Sequence, residues 1–151
     1  MSRLPILLAL FVSSPAIAAQ DTVTFNATIN ATCTILVESN GTMSVDTNMQ
    51  NLSSKNVGGT PGRVTITTTG GVNFSVDGSP IVTPPGTDTT ATTWTPTYES
   101  SGLLALAERT NATAITIPGS HTLDVHLTGV KSGSDTFGAG VYAGTVIVRC
   151  E

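Results

Sequence analysis

Residues 23–37 read Val-Thr-Phe-Asn-Ala-Thr-Ile-Asn-Ala-Thr-Cys-Thr-Ile-Leu-Val, in which apolar and polar side chains alternate except at Leu36. This period of two predicts a β-strand, because successive side chains of a strand point to opposite faces. At about 3.3 Å per residue the stretch would extend about 50 Å, whereas strands usually have about five or six residues. Either the strand bends between two sheets, or part of it pairs outside its own domain.

Two shorter alternating stretches follow, at residues 63–69 and 72–76. Each has apolar side chains on one face and polar side chains on the other. The glycines between them, Gly70 and Gly71, readily adopt the positive φ angles that a two-residue β-turn requires. The pattern predicts a β-hairpin at this point.

The rest of the chain is predicted as further strands and irregular segments. Residues 122–128 alternate, and a final strand ends at Cys150 with its apolar side chains on one face. Residues 79–96 contain four prolines, which predicts an irregular or edge segment. Residues 103–109 fit either a short helix or a buried strand. About seven or eight short strands with turn signals between them predict an all-β fold, an antiparallel immunoglobulin-like β-sandwich.

The N-terminus has the features of a secretion signal. A positive charge at Arg3 precedes an apolar run, and residues 16–18 read Ala-Ile-Ala, the small-x-small pattern that a signal peptidase cuts. We expect residues 1–18 to be removed and residues 19–151 to form one exported β-sandwich domain. The apolar run is shorter than the roughly 20 residues that cross a bilayer, so no membrane span is predicted.

Low charge and a negative balance limit the classes of function. Charged residues make up 11% of the chain, and threonine occupies 27 positions. Without Arg3, five basic residues face ten acidic ones, which gives a net charge of −5. Nucleic-acid binding needs clustered cations and is not expected, and an anionic membrane surface is disfavoured for the same reason. The many β-branched residues again favour an all-β protein.

Cys33 and Cys150 are expected to form a disulfide, because an exported chain enters an oxidising compartment. Within one chain the bond would join the first strand to the last, and the chain-entropy model credits so long a loop with roughly 4 to 5 kcal/mol. A link between two chains stays open as an alternative. A metal site is disfavoured, since neither cysteine has another His or Cys beside it in the sequence.

The polar residues form no recognisable active site. His121 and His126 are five positions apart, so on one strand they would point to opposite faces and could not share a metal ion. Asp124 and His126 share a face, as in half of a nucleophilic triad. No Gly-x-Ser-x-Gly motif accompanies them, and exposed strand neighbours are the favoured interpretation. We expect neither catalysis nor a cofactor.

Trp94 and Tyr98 flank Pro96 at the end of the proline-rich segment. Aromatic rings on a loop could stack against a sugar, or they could cover one end of the core. An alternative function is therefore a monomeric secreted module that binds a carbohydrate or a protein through the loop around Trp94 and Tyr98.

Two motifs resemble those of fimbrial subunits assembled by a periplasmic chaperone and an outer-membrane usher, and of the related spore-coat-U-like secreted domains. The first is the alternating stretch from Val23 that leads to Cys33. The second is residues 137–148, Phe-Gly-Ala-Gly-Val-Tyr-Ala-Gly-Thr-Val-Ile-Val. It is similar to the Ala-Gly-x-Tyr and alternating strand that close many pilins.

The resemblance implies a function. In that family a domain lacks one strand, and the N-terminal extension of a neighbouring subunit fills the gap by β-strand addition. Residues 19–26 would be the donor, with Val23 and Phe25 as its pocket-filling side chains, and residues 27–37 would form the subunit's own first strand. The leading hypothesis is a non-enzymatic structural or adhesive subunit of a fimbrium, exported to the periplasm or cell surface. Its expected partners are further copies of itself or a periplasmic chaperone.

Overall fold

The computed structural model describes residues 19–151, and the signal peptide predicted over residues 1–18 lies outside the described residues. The described part of the chain is all-β, without any helix, and its strands pair antiparallel, so the predicted fold class is confirmed. The strands are β1 (Cys33–Ser39), β2 (Ser44–Val45), β3 (Asn51–Ser53), β4 (Gly62–Thr68), β5 (Val72–Val76), β6 (Ile81–Thr83), β7 (Thr92–Ser100), β8 (Leu106–Arg109), β9 (Thr113–Ile115), β10 (Gly119–Lys131), β11 (Ala143–Thr145) and β12 (Val148–Cys150).

One layer is a large sheet built around β10. Strand β10 pairs with β4 through residues 119–125, with β3 through residues 128–130, and with β7 through residues 123–131. Strand β1 extends the sheet beyond β4, and β8 extends it beyond β7. Every odd-numbered residue of β10 from His121 to Lys131 is buried, because alternate side chains of a strand share one face of the sheet.

The second layer consists of two small sheets. Strand β5 lies between β12 and β9, and β6 pairs with β11. Ile66 and Leu123 of the large sheet meet Phe74 and Ile115 of the small one in a shared core, where all four are fully buried. The rings of Phe74 and Tyr98 meet edge to face with their centroids 4.9 Å apart. Two sheets packed across one apolar layer make this a sandwich-like fold.

The hairpin predicted at Gly70 and Gly71 is wrong. Strand β4 belongs to the large sheet and β5 to the small one, so the two strands contribute to the core from opposite layers. Both glycines have positive φ angles, 88° and 73°, and the turn is tight as predicted. It carries the chain from one layer to the other. Alternation cannot distinguish these two outcomes, because each strand buries one face in either case.

The strand count is higher than the seven or eight predicted, because residues 19–151 contain twelve. Strands of two or three residues, such as β2 and β6, are too short for alternation to detect. The irregular segment predicted over residues 79–96 ends early, since β7 begins at Thr92 and lies between β10 and β8 rather than at an edge. Of the alternatives for residues 103–109, a strand is present from Leu106.

Cys33 and Cys150 form a disulfide within the chain, with their Cα atoms 6.1 Å apart. The bond joins the start of β1 to the end of β12 across a sequence separation of 117 residues. Both side chains pack against the core. The predicted disulfide is therefore confirmed, and it lies within one chain rather than between two.

The long alternating stretch that opens the chain forms only one short strand. Strand β1 begins at Cys33, six residues after the predicted start of the subunit's own strand, and no bend carries the stretch into a second sheet. The N-terminal extension, residues 19–32, is exposed and adopts no strand. Most of the apolar face predicted from the sequence therefore lacks a strand partner in the described chain.

Candidate functional site: an open cleft and an exposed extension

A cleft of about 790 Å³ opens between the large sheet and the strands at the end of the chain. Its lining includes apolar side chains from both layers. These are Val37, Val64, Val125, Leu127, Val146 and Val148. Polar residues of the loop between β1 and β2 border one side. Val64, Val125 and Leu127 are buried at the floor of the cleft, whereas Val37 at its rim is 58% exposed.

The cleft exists because the outermost strands of the two layers do not pair with each other. Within the described residues, β1 pairs only with β4 and β12 only with β5, so each has one free edge. The Cys33–Cys150 disulfide joins the two strands at one end. Toward the other end, Val37 of β1 and Val148 of β12 line the cleft. A gap between two free edges is where an added strand could form hydrogen bonds.

Burial along β1 shows that the second layer covers the inward face of the large sheet incompletely. Ile35 and Val37 stand opposite Ile66 and Val64 in the ladder with β4, on the inward face of the large sheet. Ile66 is fully buried, whereas Ile35 is 36% exposed and Val37 is 58% exposed. The apolar face of the large sheet therefore continues past the point where the second layer stops covering it.

A buried polar cluster holds one wall of the cleft. Lys131 Nζ donates to Asp88 Oδ1 at 2.6 Å and to Thr90 O at 2.8 Å, while Tyr142 Oη donates to Asp88 Oδ2 at 2.6 Å. These hydrogen bonds, that from Lys131 first, lower the pKa of Asp88 to about 2. Burial, followed by the bond to Asp88, raises the pKa of Tyr142 to about 12. Tyr142 itself lines the cleft, so the cluster fixes the segment before β11.

The N-terminal extension carries a face that is complementary to the cleft. Val23, Phe25 and Ile29 are 75%, 90% and 81% exposed. Together with Ala27 and Ala31 they occupy alternate positions, which share one face in an extended chain. None of these five residues lines the cleft of its own chain.

The predicted ligand loop around Trp94 and Tyr98 is wrong, because both residues lie on β7. Tyr98 is fully buried, and its Oη donates to Asn111 O at 2.6 Å, so its ring cannot stack on a ligand. The half-buried ring of Trp94 lies against Gly129, where a Cβ atom would come within 2.4 Å of the ring. Its centroid is 6.0 Å from that of Phe137. The two aromatic residues are therefore packing residues of the large sheet.

The prediction that Asp124 and His126 are exposed strand neighbours is wrong for His126, which is buried, and the two side chains have different partners. Asp124 Oδ1 accepts a hydrogen bond from Arg63 Nε at 2.9 Å. His126 lies instead between Ser54 Oγ, 3.0 Å from its Nδ1, and Glu99 Oε1, 3.3 Å from its Nε2. A carboxylate only accepts, so in the neutral imidazole Nε2 carries the proton and Nδ1 accepts from the Ser54 hydroxyl.

This serine, histidine and carboxylate have the hydrogen-bond polarity of a nucleophilic triad, but their surroundings indicate a structural role. Ser54 and His126 are buried, and Ser54 Oγ also accepts a bond from Leu127 N at 3.3 Å. The network ties the segment after β3 to β10 and β7. Sequence reasoning missed it because Ser54 and His126 are 72 positions apart and no local motif connects them.

Searches for a metal site and a membrane-spanning helix within the described residues, and for related proteins, found no match. Among residues 19–151, no three His, Cys, Asp or Glu side chains come together as a metal site. The same residues include no helix with the length and apolar character needed to cross a membrane. No protein-family model matches the chain, and no curated protein matches its sequence.

Proposed function

We propose that the protein is an exported structural subunit that assembles by β-strand addition, with the N-terminal extension of one copy filling the cleft of another. The observation that carries this proposal is the complementary pair of an apolar cleft between two free strand edges and an exposed alternating segment. In β-strand addition, main-chain hydrogen bonds provide affinity and alternate side chains fill pockets. One chain carries both halves of such a contact.

The extension is long enough to run beside the whole of β1. The 14 residues of the extension would span about 45 Å at about 3.3 Å per residue, which exceeds the length of the seven-residue strand β1 beside the cleft. Phe25, Ile29 and Val23 are the larger side chains of its apolar face. Full burial of such a side chain stabilises a complex by about 1.5–3 kcal/mol. Two or three of them, added to the main-chain ladder, are enough to hold subunits together.

The positions of the two halves make the assembly directional. The extension precedes Cys33, at the disulfide end of β1, whereas the cleft is lined from Val37 onward, at the other end. The donating surface therefore differs from the accepting surface, and such a contact repeats head to tail. Repetition of this contact from copy to copy builds a fibre.

The compartment follows from the same features. The Cys33–Cys150 disulfide is compatible with an oxidising compartment such as the periplasm. Before assembly, the apolar cleft and the two free edges would invite uncontrolled pairing. A periplasmic chaperone that covers the cleft is therefore the expected first partner, and a fimbrium at the cell surface is the expected destination. The role is structural or adhesive, without catalysis.

Two single substitutions in the full chain test the proposal. Phe25→Asp introduces a charge on the donor face, and Val37→Asp introduces one in the cleft; both side chains are largely exposed, so each variant is expected to fold. The wild type should form assemblies, and neither variant should do so alone. Mixed in equal amounts, they should form a pair with one copy of each, because V37D donates into the intact cleft of F25D. Size-exclusion chromatography with light scattering measures these states.

The chain offers matched controls for both substitutions. Leu103 and Val57 are exposed apolar residues that lie outside the extension and do not line the cleft. Leu103→Asp and Val57→Asp should therefore assemble as the wild type does. Assembly of F25D alone, or an equimolar mixture that stays monomeric, would contradict the proposal.

A further inference from the structure

Thr69 holds the base of the N-terminal extension in line with β1. Thr32 N donates to Thr69 Oγ1 at 2.9 Å, and Thr69 Oγ1 donates to Asn30 O at 3.0 Å. Thr69 N also donates to Thr32 O at 3.2 Å. A fourth bond runs from Thr32 Oγ1 to Thr69 Oγ1 at 3.4 Å. Thr32 and Thr69 thus extend the antiparallel pairing of β1 and β4 by one residue pair beyond Cys33 and Thr68.

The direction set by these bonds matters because the chain could otherwise fill its own cleft. Strand β1 has a free edge beside the cleft, and a two-residue turn at the base of the extension would lay the donor antiparallel along that edge. Asn30 is a residue type that favours such turns. The bonds to Thr69 instead keep residues 30–32 extended, so that the donor leaves at the end of β1 opposite the cleft.

Insertion of the extension into the cleft of its own chain is also favoured by concentration over insertion into a second copy. The geometry at the base of the extension must oppose this advantage. A donor tethered by a short linker has an effective concentration of the order of mM at its own acceptor. A second copy reaches that value only in a concentrated solution. Without a restraint on the base of the extension, the self-complemented monomer would be favoured over the fibre.

We propose that Thr69 selects exchange between chains over self-complementation, by keeping the donor segment out of the cleft of its own chain. The inference rests on the proposed function, since it concerns which chain receives the donor. Thr69 does not line the cleft and does not belong to the donor face, so it is a positioning residue. The partner it favours is a second copy of this chain.

The substitution Thr69→Val in the full chain tests this role. Valine keeps the shape and the main-chain N–H but removes the hydroxyl, and with it three of the four bonds, so that only the bond from Thr69 N to Thr32 O remains. The ratio of self-complemented monomer to assembly should rise about tenfold over the wild type, which corresponds to about 1.4 kcal/mol. A self-complemented monomer has the monomer mass by light scattering and does not bind a labelled peptide of residues 19–31, whereas an empty cleft binds it.

Two further variants separate positioning from a general loss of stability. Thr69→Ser keeps the hydroxyl and should assemble as the wild type does. Combining Thr69→Val with Asn30→Val introduces a β-branched residue at the turn position, which favours extended backbone and should restore assembly. Thr69 is exposed, so its variants are expected to melt at temperatures near that of the wild type.

Three results would overturn the inference: T69V that assembles to the same extent as the wild type, T69V monomers that still bind the peptide, or no rescue by Asn30→Val. Failure of the proposed function looks different. In that case the equimolar mixture of F25D and V37D stays monomeric, although neither of those variants alters Thr69.

Discussion

Strands β1 and β12 are the outermost strands of the two layers, and their two ends differ. At one end Cys33 and Cys150 are joined covalently, and Cys150 pairs with Phe74 of the fully buried core. At the other end Val37 and Val148 line an open cleft. The two strands are held together at the end where the disulfide joins them, and they leave a cleft between them at the other end.

The difference shows where the stability of a single copy comes from. At the closed end, apolar side chains from both layers cover one another, and burial of apolar surface is the main favourable term in folding. At the open end, the inward face of β1 stays partly in water. We therefore expect substitutions at the closed end to change folding, and substitutions at the open end to change assembly.

Phe74→Ala should have the largest effect on folding and tests the closed end directly. Phe74 is fully buried, and its ring packs edge to face on Tyr98. Truncation leaves a cavity, so the free energy of unfolding should fall by about 3–5 kcal/mol. Urea unfolding measures this change. A fall of less than about 1 kcal/mol would contradict the view that the closed end supplies the folding stability of a single copy.

Replacing both cysteines, Cys33→Ser with Cys150→Ser, separates the covalent bond from the packing around it. The free energy of unfolding should fall by about 2–5 kcal/mol, because the unfolded chain regains the entropy of a long open loop. Wild-type protein unfolded in reductant is the control and should match the double variant. Equal stability of the oxidised and reduced proteins would contradict this prediction.

Tyr142→Phe tests the wall of the cleft and should have an intermediate effect. The substitution removes the hydroxyl that donates to Asp88 and leaves the ring in place. Hydrogen bonds to charged groups contribute about 1.5–3 kcal/mol, so the free energy of unfolding should fall by about that amount. Urea unfolding at neutral pH measures it, and an unchanged midpoint would show that the cluster does not hold this wall.

The same cluster predicts the pH dependence of stability. The pKa of Asp88 is lowered from 3.8 to about 2, so its contribution is present above pH 3.8 and is lost as the pH falls toward 2. The pKa of Tyr142 is raised from 10.0 to about 12, so its contribution is present below pH 10.0 and is lost as the pH rises toward 12. Tyr142→Phe should remove the alkaline loss and reduce the acid one, because Asp88 loses the bond from Tyr142 but keeps the bond from Lys131. Unfolding in urea across both pH ranges measures the two changes.

Val37→Ser should have the smallest effect on folding, and it tests whether the open end contributes to the stability of a single copy. In the Phe25→Asp background, which cannot donate, the free energy of unfolding should change by no more than about 0.5 kcal/mol, because Val37 is 58% exposed. A loss above about 2 kcal/mol would mean that the cleft is covered in the monomer. The measurement is again urea unfolding, with the Phe25→Asp protein as reference.

Inward faces could be predicted from the sequence because they depend on local geometry. Val64, Ile66 and Phe74 are buried on the faces that their two-residue period indicates. The partners of the disulfide are equally simple to predict, since a chain with two cysteines has one possible intrachain pair. Neither prediction required knowledge of which strands are neighbours.

Pairing between distant strands could not be predicted in this way. Gly70 and Gly71 have the conformation of a tight turn, but only the partners of the flanking strands decide whether the turn closes a hairpin or joins two layers. The proline-rich segment predicts a loop around Tyr98, yet pairing with β10 holds Pro96 and Tyr98 in a strand. The hydrogen-bond partners of His126 are Glu99 and Ser54, which lie on other parts of the chain, and not Asp124 on the same strand.

The sequence by itself determined the all-β class, the disulfide and the apolar face of the N-terminal extension, because each follows from side-chain period or cysteine count. Only the tertiary structure decided which strands share a sheet and that β1 and β12 leave a cleft between them. The physical reason is that an unpaired edge is the outcome of all the long-range pairings together. The unpaired edges of β1 and β12 therefore cannot be predicted from any local stretch of sequence.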